Sequence, residues 1–185
     1  EAAGSSIERC VNATVYIGHP ADFSSMDKVW KKWFPKNPPA RTVVPYAGLG
    51  GKGWRFEVTM DLLTNDSKLE PQQINSSRLP AQFGHEPHAV KVGNLLFFST
   101  LRAVDGNGVL STRTPAGFER YVDQPAAQMR EILRRISIIS EDAGTSLANL
   151  CRLKVFMDDW SAMAPGIQEL AHAFPVDPPA VSLHR

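Results

Sequence analysis

Residues 2–17, AAGSSIERCVNATVYI, are matched far along the chain by residues 142–157, DAGTSLANLCRLKVFM. Gly4 aligns with Gly144, Ser6 with Ser146, Ile7 with Leu147, Val15 with Val155 and Tyr16 with Phe156. The match resumes at Phe34 with Phe174 and runs through Pro38-Pro39-Ala40 with Pro178-Pro179-Ala180. Apart from a small shift near Asp22 and Asp159, residues pair at one fixed offset. Such self-similarity predicts two copies of one folding unit. The copies look incomplete in opposite ways. The first lacks an N-terminal half that the second has. The second stops at Arg185, opposite Pro45, and lacks a final strand that the first has.

The elements follow from periodicity. CVNATVYIG (10–18) is β-rich. ADFSSMDKVWKKWFP (21–35) is an amphipathic helix with Met26, Val29, Trp30 and Trp33 on one stripe and Pro35 at its end. ARTVVPY and WRFEVTMDLL read as strands joined through the glycine-rich turn AGLGGKG, a hairpin pattern. Residues 63–82 are polar and read as a linker. HAVKVGNLLFFSTLRAV gives two strands around Gly93-Asn94. DQPAAQMREILRRISIISEDAG is a helix capped by Asp123 and closed by Gly144, with Met129, Ile132, Leu133, Ile136 and Ile139 as its apolar stripe. A complete unit is then β-β-α-β-α-β-β, an α+β sheet with two helices on one face.

Composition excludes several classes of function. The 185 residues carry a formal net charge of +1, with 43% hydrophobic and 21% charged residues. No global field draws the chain to nucleic acid, and no apolar run is long enough for a membrane span. The N-terminus has no signal-peptide pattern, which predicts a cytoplasmic location. The sequons at Asn12, Asn65 and Asn75 are then coincidental. Cys10 and Cys151 read as free core thiols. His85 and His88 in GHEPH do not make a metal site with one glutamate, and GLGGKG lacks the Ser/Thr and helix of a phosphate loop. Neither metal nor cofactor is expected.

VKVGNLLFFST, AGTSLANLCRLKVFM and FPKNPPARTVV followed by RFEV together resemble the RidA/YjgF family. The likeness covers residues 1–62 and about 83–185. It implies a chorismate-mutase-like fold assembled as a trimer or pseudo-trimer. It also implies hydrolysis of reactive enamine or imine intermediates, such as 2-aminoacrylate, to a 2-keto acid and ammonia. The substrate would be a small carboxylate-bearing metabolite. Arg41 matches the family's carboxylate-binding arginine, and Glu57 the acid that positions or activates water. Departures are Glu86 where the family has Tyr, Ser99-Thr100-Leu101 in place of Ser-Gly-Gln, and Val181 in place of the second arginine.

The residues offer a chemical case of their own. Pro38 and Pro39 extend the backbone into the strand, and a fixed guanidinium grips a carboxylate through two parallel hydrogen bonds. If the predicted hairpin pairs Val44 with Trp54, Arg41 falls opposite Glu57, with Cβ atoms roughly 5 Å apart. The two would flank one small site. The alternative reading of the pair is a plain cross-strand ion pair with no catalytic task. Val181 fits a copy that has lost its ligand, because an unpartnered buried cation is costly. A second function class also fits: a non-catalytic RidA-like module that binds a metabolite or assembles a larger protein.

Overall fold

The computed structural model describes residues 3–46, 48, 50–105, 108–109 and 123–185. Ala47 and Leu49 of the glycine-rich turn lie outside this set. Two compact units result, Glu1–Thr100 and Leu101–Arg185. Residues 83–100, which the sequence reading allots to the second copy, fall within the first unit.

The first unit is organised by β1 (Cys10–Ile17), whose eight residues are almost all buried. Helix α1 (Phe23–Trp33) follows, then β2 (Ala40–Pro45) and β3 (Phe56–Leu62). β2 runs parallel to β1, a pairing that requires a crossover, which α1 supplies. β3 pairs antiparallel with the other edge of β1, so the strand order is β2-β1-β3. The hairpin expected from sequence is therefore not formed. The connection through residues 46–55 is long enough to pass β1 and lets that apolar strand be covered on both edges.

Val15, Ile17, Met26, Trp30, Phe34 and Val43 form the core beneath α1. Trp30 and Phe34 stack with ring centroids 4.5 Å apart. The helix stripe read from sequence is only half buried in this unit. Met26 and Trp30 face the sheet, whereas Val29 is 52% and Trp33 62% exposed.

A second sheet completes the unit. β4 (Gln72–Ile74), β5 (Ala89–Val92) and β6 (Leu95–Phe98) form an antiparallel meander. The 63–82 stretch thus contributes a strand where a linker is expected. Val92 faces Leu95 across the Gly93-Asn94 turn, and Gly93 takes φ +57° as that tight reversal demands.

The second unit opens with the short antiparallel pair β7 (Val104–Asp105) and β8 (Gly108–Val109). Helix α2 (Gln124–Asp142) starts where Asp123 accepts a hydrogen bond from the Ala126 N–H. β9 (Arg152–Phe156), α3 (Met163–Ala173) and β10 (Ala180–His184) follow. These elements sit 140 residues after their counterparts: α1 starts at Phe23 and α3 at Met163, β2 at Ala40 and β10 at Ala180. Register agrees too, since Asn12 pairs with Ala40 and Arg152 with Ala180. Left-handed backbone recurs at Asn37 and Asp177, and at Gly4 and Gly144. The offset needs no shift near Asp22. His19 and Asp159 are the equivalent positions, and each side chain caps the short 3-10 turn that follows it.

The two cysteines differ, correcting the expectation that both are core thiols. Cys10 is buried, and desolvation, helped by the Asp61 charge, pushes its thiol up to about 11 despite its bond to the Asn12 carbonyl. Cys151 is exposed. Iodoacetamide at pH 8 is expected to label Cys151 in the native chain and Cys10 only after denaturation, as read by peptide mass spectrometry. A raised thiol pKa contributes stability that is complete below about pH 9 and lost as pH climbs through about 11.

Candidate functional site: a closed arginine chamber

Arg41 is fully buried, at 0% exposure. The Pro38-Pro39 turn feeds it into β2, and Gln73 fastens that turn by donating to the Pro38 carbonyl at 2.7 Å. On the outer edge of β2 the Arg41 N–H donates to Ser99 Oγ at 3.0 Å, and its carbonyl accepts from the Thr100 N–H at 3.0 Å. The backbone at Arg41 is thus held on both sides.

The side chain points to the face occupied by α1. Its Nε donates to Glu86 Oε2 at 2.6 Å, and Nη2 reaches both that oxygen and Asp27 Oδ1. Nη1 lies 3.6 Å from Met26 Sδ. The guanidinium carbon sits 4.9 Å from the Trp30 ring centroid and 5.7 Å from that of Phe23, a cation between two aromatic faces. Burying this charge is tolerable because it is paired and bonded on several sides.

Glu86 is as buried as the arginine it meets, with 1% of its side chain exposed. Its loop is pinned down. The His85 N–H donates to Asp27 Oδ1 at 3.1 Å, and His85 Nε2 lies 2.7 Å from the Phe34 carbonyl. Gly84 passes so close that a Cβ there would run into Arg41 Nη2 and the Phe23 ring. His88 takes separate partners: Nδ1 accepts from the Ser76 N–H, and Nε2 lies 2.8 Å from the Pro80 carbonyl. Both imidazoles hold backbone, and among the described residues no cluster of three or more His, Cys, Asp or Glu could bind a metal ion.

The predicted pairing of Arg41 with Glu57 does not form. Arg41 lies opposite Ala13, which lies opposite Met60; Glu57 lies opposite Tyr16, which lies opposite Val44. Since successive side chains alternate faces, Arg41 and Glu57 occupy opposite faces of the sheet. Glu57 is exposed. The physical cause is β1, inserted between the two strands. The acids that meet Arg41 are Asp27 and Glu86, neither of which the sequence pattern pairs with it. One signal did exist, an acid at position 86 where the resemblance expects a tyrosine.

Chemically, this is an anion clamp whose binding edge is already filled by carboxylates from its own chain. One formal positive charge faces two formal negative charges. An incoming carboxylate would have to displace Glu86 from a closed, aromatic-walled chamber.

A β-α-β unit extended by an antiparallel strand, with a buried arginine at the start of β2, defines an α+β class that the comparisons identify. Residues 1–62 match the family model described as Endoribonuclease L-PSP. A RutC family protein of Haemophilus ducreyi is 33% identical over 58 residues, 31% of this chain and 49% of the relative. The mitochondrial protein mmf2 of Schizosaccharomyces pombe is 39% identical over 59 residues, 30% of this chain and 46% of the relative. Among solved structures, yeast YEO7 matches with a TM-score of 0.52 at 22% identity, covering 62% of this chain and 83% of that one. A Thermotoga maritima protein described as a putative endoribonuclease matches at 0.51 and 22%, covering 61% and 82%. Residues 1–62 thus carry a likeness to the RidA/YjgF family, and the chain shares the fold of these solved structures. It spans about half the length of the curated relatives it matches. Among the described residues no helix is long and apolar enough to cross a membrane.

Proposed function

We propose that this chain is a non-catalytic RidA-type assembly module, with the family's anion-binding arginine turned to a structural task. The observation that carries this reading is the saturation of Arg41 by Glu86 and Asp27 inside the fold. Glu86 spans the Nε–Nη2 edge, Asp27 adds a second acceptor at Nη2 and Met26 Sδ faces Nη1, so a bidentate ligand would have to displace groups of the chain itself. The exposure and remote position of Glu57 support the same reading, since proton transfer needs the acid within about 3 Å of the reacting group. Assembly as a trimer or pseudo-trimer of units accompanies the resemblance.

A second reading is hydrolytic deamination of enamine or imine carboxylates of the 2-aminoacrylate type. It is favoured by the arginine itself, kept between Phe23 and Trp30 in a segment that matches the family. It requires Glu86 to leave and a substrate carboxylate to take its place. The two readings separate in an assay that generates 2-aminoacrylate enzymatically and follows pyruvate release. The module reading expects the chain to leave the buffer rate unchanged. An acceleration that disappears in Arg41→Lys, a variant keeping the charge but not the fork, would establish the deaminase instead.

A further inference from the structure

Helix α1 and its counterpart α3 share length and closing geometry but not charge. Each has 11 residues, and each is closed by a phenylalanine N–H, Phe34 to the Trp30 carbonyl and Phe174 to the Leu170 carbonyl. Met26 and Trp30 turn one side of α1 into the core. Lys28, Lys31 and Lys32 lie on the opposite side at i, i+3 and i+4, and Lys36 follows just past the helix end. All four are exposed. Residues 28–36 hold these four cations and no acid.

Nothing within the fold accounts for this cluster. The acids nearest in sequence are engaged elsewhere, Asp27 with Arg41 and Asp22 with Arg55. Among the described residues none of the four lysines forms an ion pair. Like charges three and four residues apart on a helix repel. The helix dipole offsets this for Lys31 and Lys32 in the last turn, but not for Lys28 in the middle or Lys36 beyond the end. The outer side of such a helix does not require cations either. At the 140-residue spacing the same four positions are Gln168, Ala171, His172 and Val176, all exposed and without a Lys or Arg among them.

We propose that the lysine side of α1 docks an acidic segment of a partner protein through that segment's carboxylates. Charge complementarity calls for an anion, and the chemistry of the surface selects which one. Single-stranded nucleic acid is held by aromatic stacking beside the cations; no ring lies among these lysines, and Trp33 is turned about 100° from Lys32 around the helix. Phosphate recognition favours the arginine fork, and this side carries lysine alone. A helix lying in a membrane interface gives its apolar side to lipid, whereas Met26 and Trp30 are buried in the core. Lysine point charges on flexible stems suit a run of Asp and Glu side chains, where sign matters more than exact placement. The inference goes beyond the assembly-module reading, to which it adds a partner class, and does not depend on the state of Arg41.

The test titrates the full chain into a fluorescent oligoglutamate peptide, with anisotropy as the readout and a Gly-Ser peptide of equal length as the blank. Saturable binding is expected, weakening by about tenfold or more between about 20 mM and about 200 mM salt. Lys28→Glu with Lys32→Glu, and Lys31→Glu with Lys36→Glu, should each weaken it by about tenfold or more with unchanged far-UV circular dichroism. Lys52→Glu with Lys68→Glu, which reverses two exposed lysines elsewhere, should leave it unchanged. Absence of saturation overturns the proposal, as does binding that is indifferent to the α1 variants or lost equally in the Lys52 and Lys68 variant. Tighter binding of an oligothymidine of equal charge overturns it in favour of nucleic acid. Sedimentation with phosphatidylserine vesicles that the α1 variants abolish overturns it in favour of a membrane surface. Low-salt self-association that they abolish overturns it in favour of a second copy. None of these outcomes turns on pyruvate release, so the module reading is judged separately.

Discussion

Replacing Glu86 by Ala is expected to destabilise the first unit by about 3 kcal/mol, the lower end of the cost of breaking a buried ion pair. The reasoning starts from burial. Arg41 and Glu86 side chains are 0% and 1% exposed, so solvent cannot rehydrate the arginine once its partner is gone. Asp27 remains as a second partner, and its 24% exposure admits some water, which places the loss at the low end. Glu86→Gln keeps an oxygen for the Nε–H and should cost less. Arg55 and Asp22 form an ion pair of similar length, but Arg55 is 60% exposed, so Arg55→Ala should change stability little. Urea titration with amide exchange read at Val43 and Val44 follows the first unit separately from the second. A Glu86→Ala chain as stable as the parent would show that the chamber opens to water and that Arg41 is free for a ligand.

Trp30→Ala is expected to cost about 3–5 kcal/mol, the range for deleting a large buried aromatic ring. Trp30 is 7% exposed, packs on Phe34, and forms the floor beneath the Arg41 guanidinium. Its loss opens a cavity and removes an aromatic face from a buried cation at the same time. Trp30→Phe retains a ring and should recover much of the loss. Trp33, three residues on, provides the control: at 62% exposure its removal should barely alter the urea midpoint. The same assay decides the matter, and equal midpoints for the Trp30 and Trp33 variants would refute the packing described.

The parts of the fold legible in the sequence are those with a short-range cause. Asp123 before Pro125 and Gly144 after the last turn fixed the ends of α2 through capping and left-handed backbone. The Gly93-Asn94 reversal placed β5 against β6. The paired stretches at residues 2–17 and 142–157 located elements that recur at one spacing. The candidate site was legible at one residue. Arg41 stands at the start of β2 as its Pro-Pro-Ala context indicates, but its partners come from α1 and from the loop before β5. Loop-borne and helix-borne acids approach through tertiary packing, which no spacing along the chain encodes.

The chain by itself determined its alternating strands, its helix stripes and the place of one arginine, because dihedral preferences and apolar periodicity act over a few residues. Only the tertiary structure decided that β1 lies between β2 and β3. Burying both edges of an apolar strand outweighs the short connection a hairpin would have used. That single choice sent Arg41 and Glu57 to opposite faces and left the guanidinium to Glu86 and Asp27.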